Sequence, residues 1–270
     1  MTGHWTLYVL GSRGSWPVCG EEFLEFGGGT SCYVLKRGDY AVLIDCGSGL
    51  YNGRELLAGC RRIDVLLTHI HYDHLLGLLN WNVFPENTRL RFFASFDRWF
   101  GADTLARFMS PPFWPYTPDM GTLINVPSPG AAELEEGVRV RLHPSCHPDG
   151  ASIFRIDTPD GSVCAAFDYE HAAPFPLELA ENCDVLLYDA MFTKEEYPYR
   201  EGWGHSCWEE GGKVAGQAGV GQLVMTHHGP EKSDKELREQ ERLARSVIPG
   251  VRFARQGDVF ILRGKAGNKS

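Results

Sequence analysis

Three histidines and an aspartate fall within six residues in Thr68-His69-Ile70-His71-Tyr72-Asp73-His74, directly after the apolar run Ile63-Asp64-Val65-Leu66-Leu67. Imidazole mixed with carboxylate is the donor set that zinc and other borderline-soft divalent ions take. His69 and His71, two positions apart, project from one side of an extended chain and could share an ion. Asp73 and His74 could serve a second ion as the chain turns into Leu75–Leu79. A surface histidine cluster is the bland alternative, but the segment is internal and follows a strand of buried character.

Two ions need more donors, and the right residue types recur at the ends of expected strands. His147 follows Val138–His143, Asp168 follows Ser162–Phe167, and His227 follows Gln222–Thr226. Each alone would read as a capping or solvated residue. The repeated placement around one cluster makes all three candidate ligands. His205, in Gly204-His205-Ser206, precedes an expected helix whose free amides and dipole suit an anion, and its imidazole could donate a proton there. The rival for His205 is a mere neighbour of a helix cap.

The elements that must position these groups are mostly strands. Short β-branched and aromatic runs predict strands at Trp5–Leu10, Ser31–Lys36, Ala41–Asp45, Ile63–Thr68, Leu90–Ala94 and Thr122–Val126. A second series comprises Val138–His143, Ser152–Asp157, Ser162–Phe167, Asp184–Asp189, Gln222–Thr226, Val251–Ala254 and Asp258–Leu262. Ser206-Cys-Trp-Glu209 and Ser233-Asp-Lys-Glu236 both fit a capping box, predicting helices over 206–218 and 234–247, with Asp97–Met109 as a further helix. Two β-rich halves, each finished by helix–strand units, predict an α/β fold of two mixed sheets packed face to face with helices outside, in one domain over 1–270. The segment 109–118 carries four prolines and three aromatics, Phe113, Trp114 and Tyr116, and is expected to be a loop. It packs either on its own domain or on a second copy in a homodimer, or it forms a lid whose rings stack on a substrate.

Composition narrows the function. In 270 residues, 26 Lys and Arg against 35 Asp and Glu leave a net charge of −9, a poor footprint for coating nucleic acid. No apolar run is long enough to span a membrane, and Met1–Trp5 shows no start of a secretory signal. The eight cysteines include no C-x-x-C pair and are expected to be buried thiols in a reducing, cytoplasmic setting.

His69-x-His71-x-Asp73-His74, then His147, Asp168 and His227 in that order, resembles the metallo-β-lactamase superfamily over nearly the whole chain. The resemblance implies a four-layer αββα sandwich and two divalent ions, zinc with manganese as the alternative. It implies one ion on His69, His71 and His147, a second on Asp73, His74 and His227, and Asp168 bridging both. His227 matches the family position better than His228. Asp73 and His205 are then the catalytic candidates, with a water shared by the two ions as nucleophile. Leu10-Gly-Ser-Arg-Gly-Ser-Trp-Pro17, Gly27-Gly-Gly-Thr-Ser31 and Leu43-Ile-Asp-Cys-Gly47 are similar to the phosphodiesterase branch that includes ribonuclease Z, with Asp45 structural rather than a ligand. Gly204-His205-Ser206 resembles that branch's His-Ser-Thr loop, with Cys207 where the Thr would stand.

One departure bears on substrate. The tRNA-gripping arm of ribonuclease Z falls between the positions matching His147 and Asp168, and here two expected strands and a turn fill that interval. Long nucleic acid is therefore disfavoured, and a small cyclic nucleotide or sugar phosphodiester is the expected partner. Hydrolysis of a lactone, thioester or β-lactam on the same fold is the main alternative. A flavodiiron redox enzyme fits less well, because His71 stands where those proteins would have Glu. A non-catalytic nucleotide sensor is disfavoured by the full ligand set.

Overall fold

The computed structural model describes residues 3–96 and 103–263. Its first sheet contains β1 (Thr6–Gly11), β2 (Cys32–Arg37), β3 (Tyr40–Ile44), β4 (Arg62–Leu66), β5 (Arg89–Ala94) and β6 (Thr122–Asn125). The second contains β7 (Gly130–Glu133), β8 (Arg139–Ser145), β9 (Ala151–Thr158), β10 (Gly161–Ala166), β11 (Val185–Asp189), β12 (Gln222–Thr226) and β13 (Arg252–Phe253). A last strand, β14 (Val259–Ile261), returns to pair with β1, giving the orders β14-β1-β2-β3-β4-β5-β6 and β13-β12-β11-β10-β9-β8-β7. In each sheet an antiparallel meander passes into parallel strands: β3 to β6 run parallel, as do β10 to β13.

The two faces of each strand explain the layers. Tyr40, Val42 and Ile44 of β3 point between the sheets with Leu7, Val9 and Leu35, meeting Phe154, Ile156, Val163 and Leu187 of the other sheet. The alternate residues Ala41 and Leu43 face outward, yet they are also buried, against Leu57, Leu75 and Leu105. Those three belong to α1 (Arg54–Leu57), α2 (Tyr72–Leu75) and α3 (Asp103–Phe108). The outer face of the second sheet is covered likewise by α4 (Leu177–Ala180), α5 (Trp208–Ala218) and α6 (Asp234–Val247), through Leu179, Val214, Leu237 and Ala244. Strands apolar on both faces demand cover on both, so the result is the expected αββα sandwich.

Several local expectations need correction. Strand β7, Gly-Ala-Ala-Glu, lacks β-branched residues and was not expected; it forms because the edge of β8 offers it a hydrogen-bonding partner. The strands expected at 251–254 and 258–262 shorten to β13 and β14. The capping box at Ser233 is formed, its side chain accepting from Glu236 N. The one at Ser206 is not: α5 starts two residues later with Cys207 as N-cap. Ser206 is held inward, its N–H donating to Asp189 and its hydroxyl facing His171 Nδ1 at 2.9 Å and Tyr188 at 3.2 Å. Of the helix expected over Asp97–Met109, residues 103–108 are helical and 97–102 lie outside the described residues. All eight cysteines are free thiols, but only six are buried: Cys19, in the opening loop, is exposed and Cys146, just past β8, is half-buried. No helix among the described residues is long and apolar enough to cross a membrane.

Candidate metal centre

The expected donors converge beyond the C-terminal ends of β4, β8, β10 and β12, the edge at which open α/β sheets build their sites. After β4 the chain delivers His69 to His74, after β8 His147, after β10 Asp168, and after β12 His227. Asp168 and His227 both adopt left-handed backbone, φ 55° and 56°, and so leave their strands sharply. Ligand atoms of His69, His71 and His147 lie within 4.8 Å of one another, and so do those of Asp73, His74, Asp168 and His227.

Asp168 stands between these two groups. Its Oδ1 lies 3.4 Å from His147 Nε2 and 3.8 Å from His69 Nε2. Its Oδ2 lies 3.1 Å from His74 Nε2 and 3.2 Å from His227 Nε2. Asp73 Oδ2 closes the second group, 3.2 Å from His227 Nε2 and 3.3 Å from His74 Nε2. His71, half-exposed, stacks edge-on to His69 with ring centroids 4.4 Å apart.

The far nitrogens of His69, His74 and His147 are tied elsewhere, His69 Nδ1 to Thr68 Oγ1 at 3.1 Å, which aims the Nε2 of these three inward. His74 Nδ1 donates to Asp45 at 2.6 Å, and Asp45 also accepts from Thr68 N and Oγ1 at 2.8 Å each. His147 Nδ1 donates to the Pro148 carbonyl at 2.8 Å. Asp45 is therefore a support and touches no second imidazole of the cluster. His228 turns away: its Nε2 donates to the Ala254 carbonyl at 3.0 Å, and its ring packs between Phe26 and Phe253.

The Gly-rich opening loop, which follows β1, also borders the site. Arg13 is fully buried and donates to the carbonyls of Gly27, Gly229 and Lys232, pinning the turn that follows it. Ser15 N then donates to Asp73 Oδ2 at 2.7 Å. A Cβ at Gly14 would sit 2.6 Å from the His227 ring, so only glycine lets the turn approach this closely.

The donors fit a divalent cation. Nε2 of His69, Nε2 of His74 and Oδ2 of Asp168 are buried without a hydrogen-bond partner, a costly condition unless an ion satisfies them. Mixed imidazole and carboxylate suits zinc and its neighbours in the first transition row. The electrostatics agree. Burial opposes charge on Asp168 and Asp73, yet the surrounding histidines hold both carboxyls well below their ordinary values. Burial, followed by the nearby imidazoles, holds His69 well below its ordinary value, and His147 falls to about 4. His227 and His74 rise against burial because Asp168 and Asp73 demand a positive partner, His227 to about 10.

His205 borders a cavity of about 300 Å³ that Ser15, His71, Asp73 and Asp168 also line. Its Nδ1 donates to Asp189 at 3.0 Å, and its ring lies 5.5 Å from that of His147 and 5.0 Å from that of His227. No sequence motif singles out Asp189, although it closes β11 much as Asp168 follows β10 by two residues. It also accepts from the backbone of Asp168, Met191 and Ser206, so it couples the His205 loop to the metal donors. No motif singles out Glu170 either. Buried, it accepts from Gly202 N, Gly204 N and the Tyr197 hydroxyl, setting the loop that carries His205.

Comparison with known proteins agrees with this architecture. Residues 40–228 match the Beta-lactamase superfamily domain, and the chain belongs to that superfamily, in its metallo-β-lactamase branch of two-sheet αββα proteins. Ribonuclease BN of Escherichia coli O1:K1 is 29% identical over 134 residues, which span 50% of this chain and 44% of that protein. The chain thus matches less than half the length of this curated relative. The metallo-β-lactamase fold protein YhfI of Bacillus subtilis superposes with a TM-score of 0.71 at 22% identity, over 95% of this chain and 99% of that one. A diphosphatase of the PhnP family superposes with a TM-score of 0.68 at 19% identity, over 96% and 98% of the two chains. Family and donor set together support metal-dependent hydrolysis.

Proposed function

We propose that the protein is a dinuclear metal-dependent phosphodiesterase acting on a small phosphodiester. The observation that carries it is the placement of Asp168, one oxygen toward each group of donors, beside a cavity that His205 borders. His69, His71 and His147 would hold one ion, Asp73, His74 and His227 the other, and Asp168 both. When bound, such a pair supplies Lewis acidity toward phosphoryl oxygens and lowers the pKa of a coordinated water. The protein's own part is to fix the donors and to manage a proton. Asp189 occupies His205 Nδ1, which leaves Nε2 to hand a proton to the departing ester oxygen.

Two features favour a small substrate over a folded RNA. The hairpin of β9 and β10 fills the chain between His147 and Asp168, leaving no residues for a gripping arm. The net charge of −9 opposes a polyanion's approach. The ribonuclease and diphosphatase relatives supply the phosphorus chemistry, and the lactone, thioester and β-lactam hydrolases of the superfamily remain the competing reading. Purified, zinc- or manganese-loaded protein assayed against cyclic nucleotides, bis(4-nitrophenyl) phosphate, a lactone and a β-lactam tests it. Turnover of phosphodiesters is expected; turnover of only the lactone or β-lactam would overturn the reading.

A further inference from the structure

Beside the polar metal cavity lies a second cleft of about 450 Å³, and the two share Ile70 and Tyr72 as a common wall. Its other surfaces are Leu76 and Leu79, from the turn after α2, and Phe108 and Phe113, from α3 and the Pro-rich loop. Among the described residues the single charged group lining it is cationic, Arg107, so nothing there repels an anionic ester. The volume is that of a small-molecule site, and its apolar lining is typical of one.

The aromatic residues of the loop have separated. Trp114 packs against the outer core, its ring nitrogen buried, and is part of the structure rather than a lid. Phe113 is 74% exposed and Tyr72 66% exposed, both at the cleft. Phe113 and Tyr72, the latter resting on Phe108 with ring centroids 5.9 Å apart, leave large ring area in water at an apolar cleft next to a site built for an anion, and call for a flat apolar partner. We propose that this cleft is the subsite for an aromatic substituent of the phosphodiester, with Phe113 and Tyr72 as its specificity-determining faces. The assignment rests on the phosphodiester reading: the phosphoryl group occupies the polar cavity, and the ring it carries crosses Ile70 and Tyr72 into the cleft. A phenyl group or a nucleobase meets the requirement, whereas a methyl or a bare sugar leaves the rings unused.

The test is direct binding to zinc-loaded protein by calorimetry, using diphenylphosphinate and dimethylphosphinate. Both mimic a diester anion, and their phosphorus–carbon bonds resist hydrolysis. Diphenylphosphinate is expected to bind roughly tenfold or more tightly than dimethylphosphinate, from the apolar area it buries. Phe113→Ala, at an exposed position, should weaken the diphenyl compound by about 5- to 150-fold, the range for a lost stacking face, and leave the dimethyl compound unchanged. Phe113→Trp should retain the preference. Equal affinities in the wild type, or equal weakening of both ligands by Phe113→Ala, would overturn the subsite. Failure of the phosphodiester reading shows separately, as absent phosphodiester turnover by the same wild-type preparation, and would overturn the diester class of the substrate.

Discussion

His205→Ala separates a proton donor from a metal ligand, because His205 lies close enough to His147, Asp168 and His227 to be either. The structure favours the donor. The candidate ligand histidines are placed without it: His147 Nδ1 by the Pro148 carbonyl, and His227 with its Nδ1 3.5 Å from Asp189. Removing the ring should therefore leave two ions per chain. What is lost is a proton at the leaving oxygen, typically worth 10²- to 10⁴-fold, or about 2.7 to 5.5 kcal/mol of barrier. That loss should appear in kcat for a cyclic nucleotide, whose alkoxide leaves badly without a proton. With bis(4-nitrophenyl) phosphate the departing phenolate needs little protonation, and the loss should shrink to roughly tenfold or less. The assay is steady-state kinetics on both substrates with metal content measured on the same preparation. Equal losses on the two substrates would refute the acid role, and loss of one ion would make His205 a ligand.

Asp168→Ala should lower metal content from near two ions per chain and abolish hydrolysis, since both groups of donors lose a carboxylate oxygen; elemental analysis after dialysis against trace metal reads it. Asp45→Ala leaves the Thr68 N–H unpaired and strips the buried His74 Nδ1 of its 2.6 Å partner, with only Thr68 Oγ1 at 3.4 Å remaining, so metal affinity should fall about 10- to 100-fold, as measured by competition with a chelating dye. Gly14→Ala drives a methyl into the His227 ring and should weaken metal binding while the melting transition stays cooperative. Ser233→Ala removes the cap of α6 and should cost about 1 kcal/mol by urea unfolding without changing metal content.

The residues from Thr68 to His74 show why part of this site is legible in a linear chain. Residue type, two-residue spacing and an apolar strand in front are local properties. Continuous apolar runs such as Tyr40–Ile44 likewise determine strands, because successive side chains point to opposite faces and both faces of the sheets are covered. Capping chemistry was readable at Ser233, where the serine faces solvent and only its own helix competes for it. At Ser206 the same motif fails, because the buried Asp189 takes the backbone N–H and buried polar partners take the hydroxyl.

The sequence by itself thus determined the set of candidate donors, the order in which strands deliver them, and the two-sheet class of fold. Tertiary structure decided which oxygen of Asp168 faces which imidazoles, that Asp189 and Glu170 hold the His205 loop, and that Phe113 lines a cleft while its neighbour Trp114 joins the core. These are matters of direction between groups far apart in the chain: Asp73 and His227 are separated by 154 residues yet lie 3.2 Å apart. Such directions follow from how two sheets pack and where each strand stops, and no local pattern encodes them.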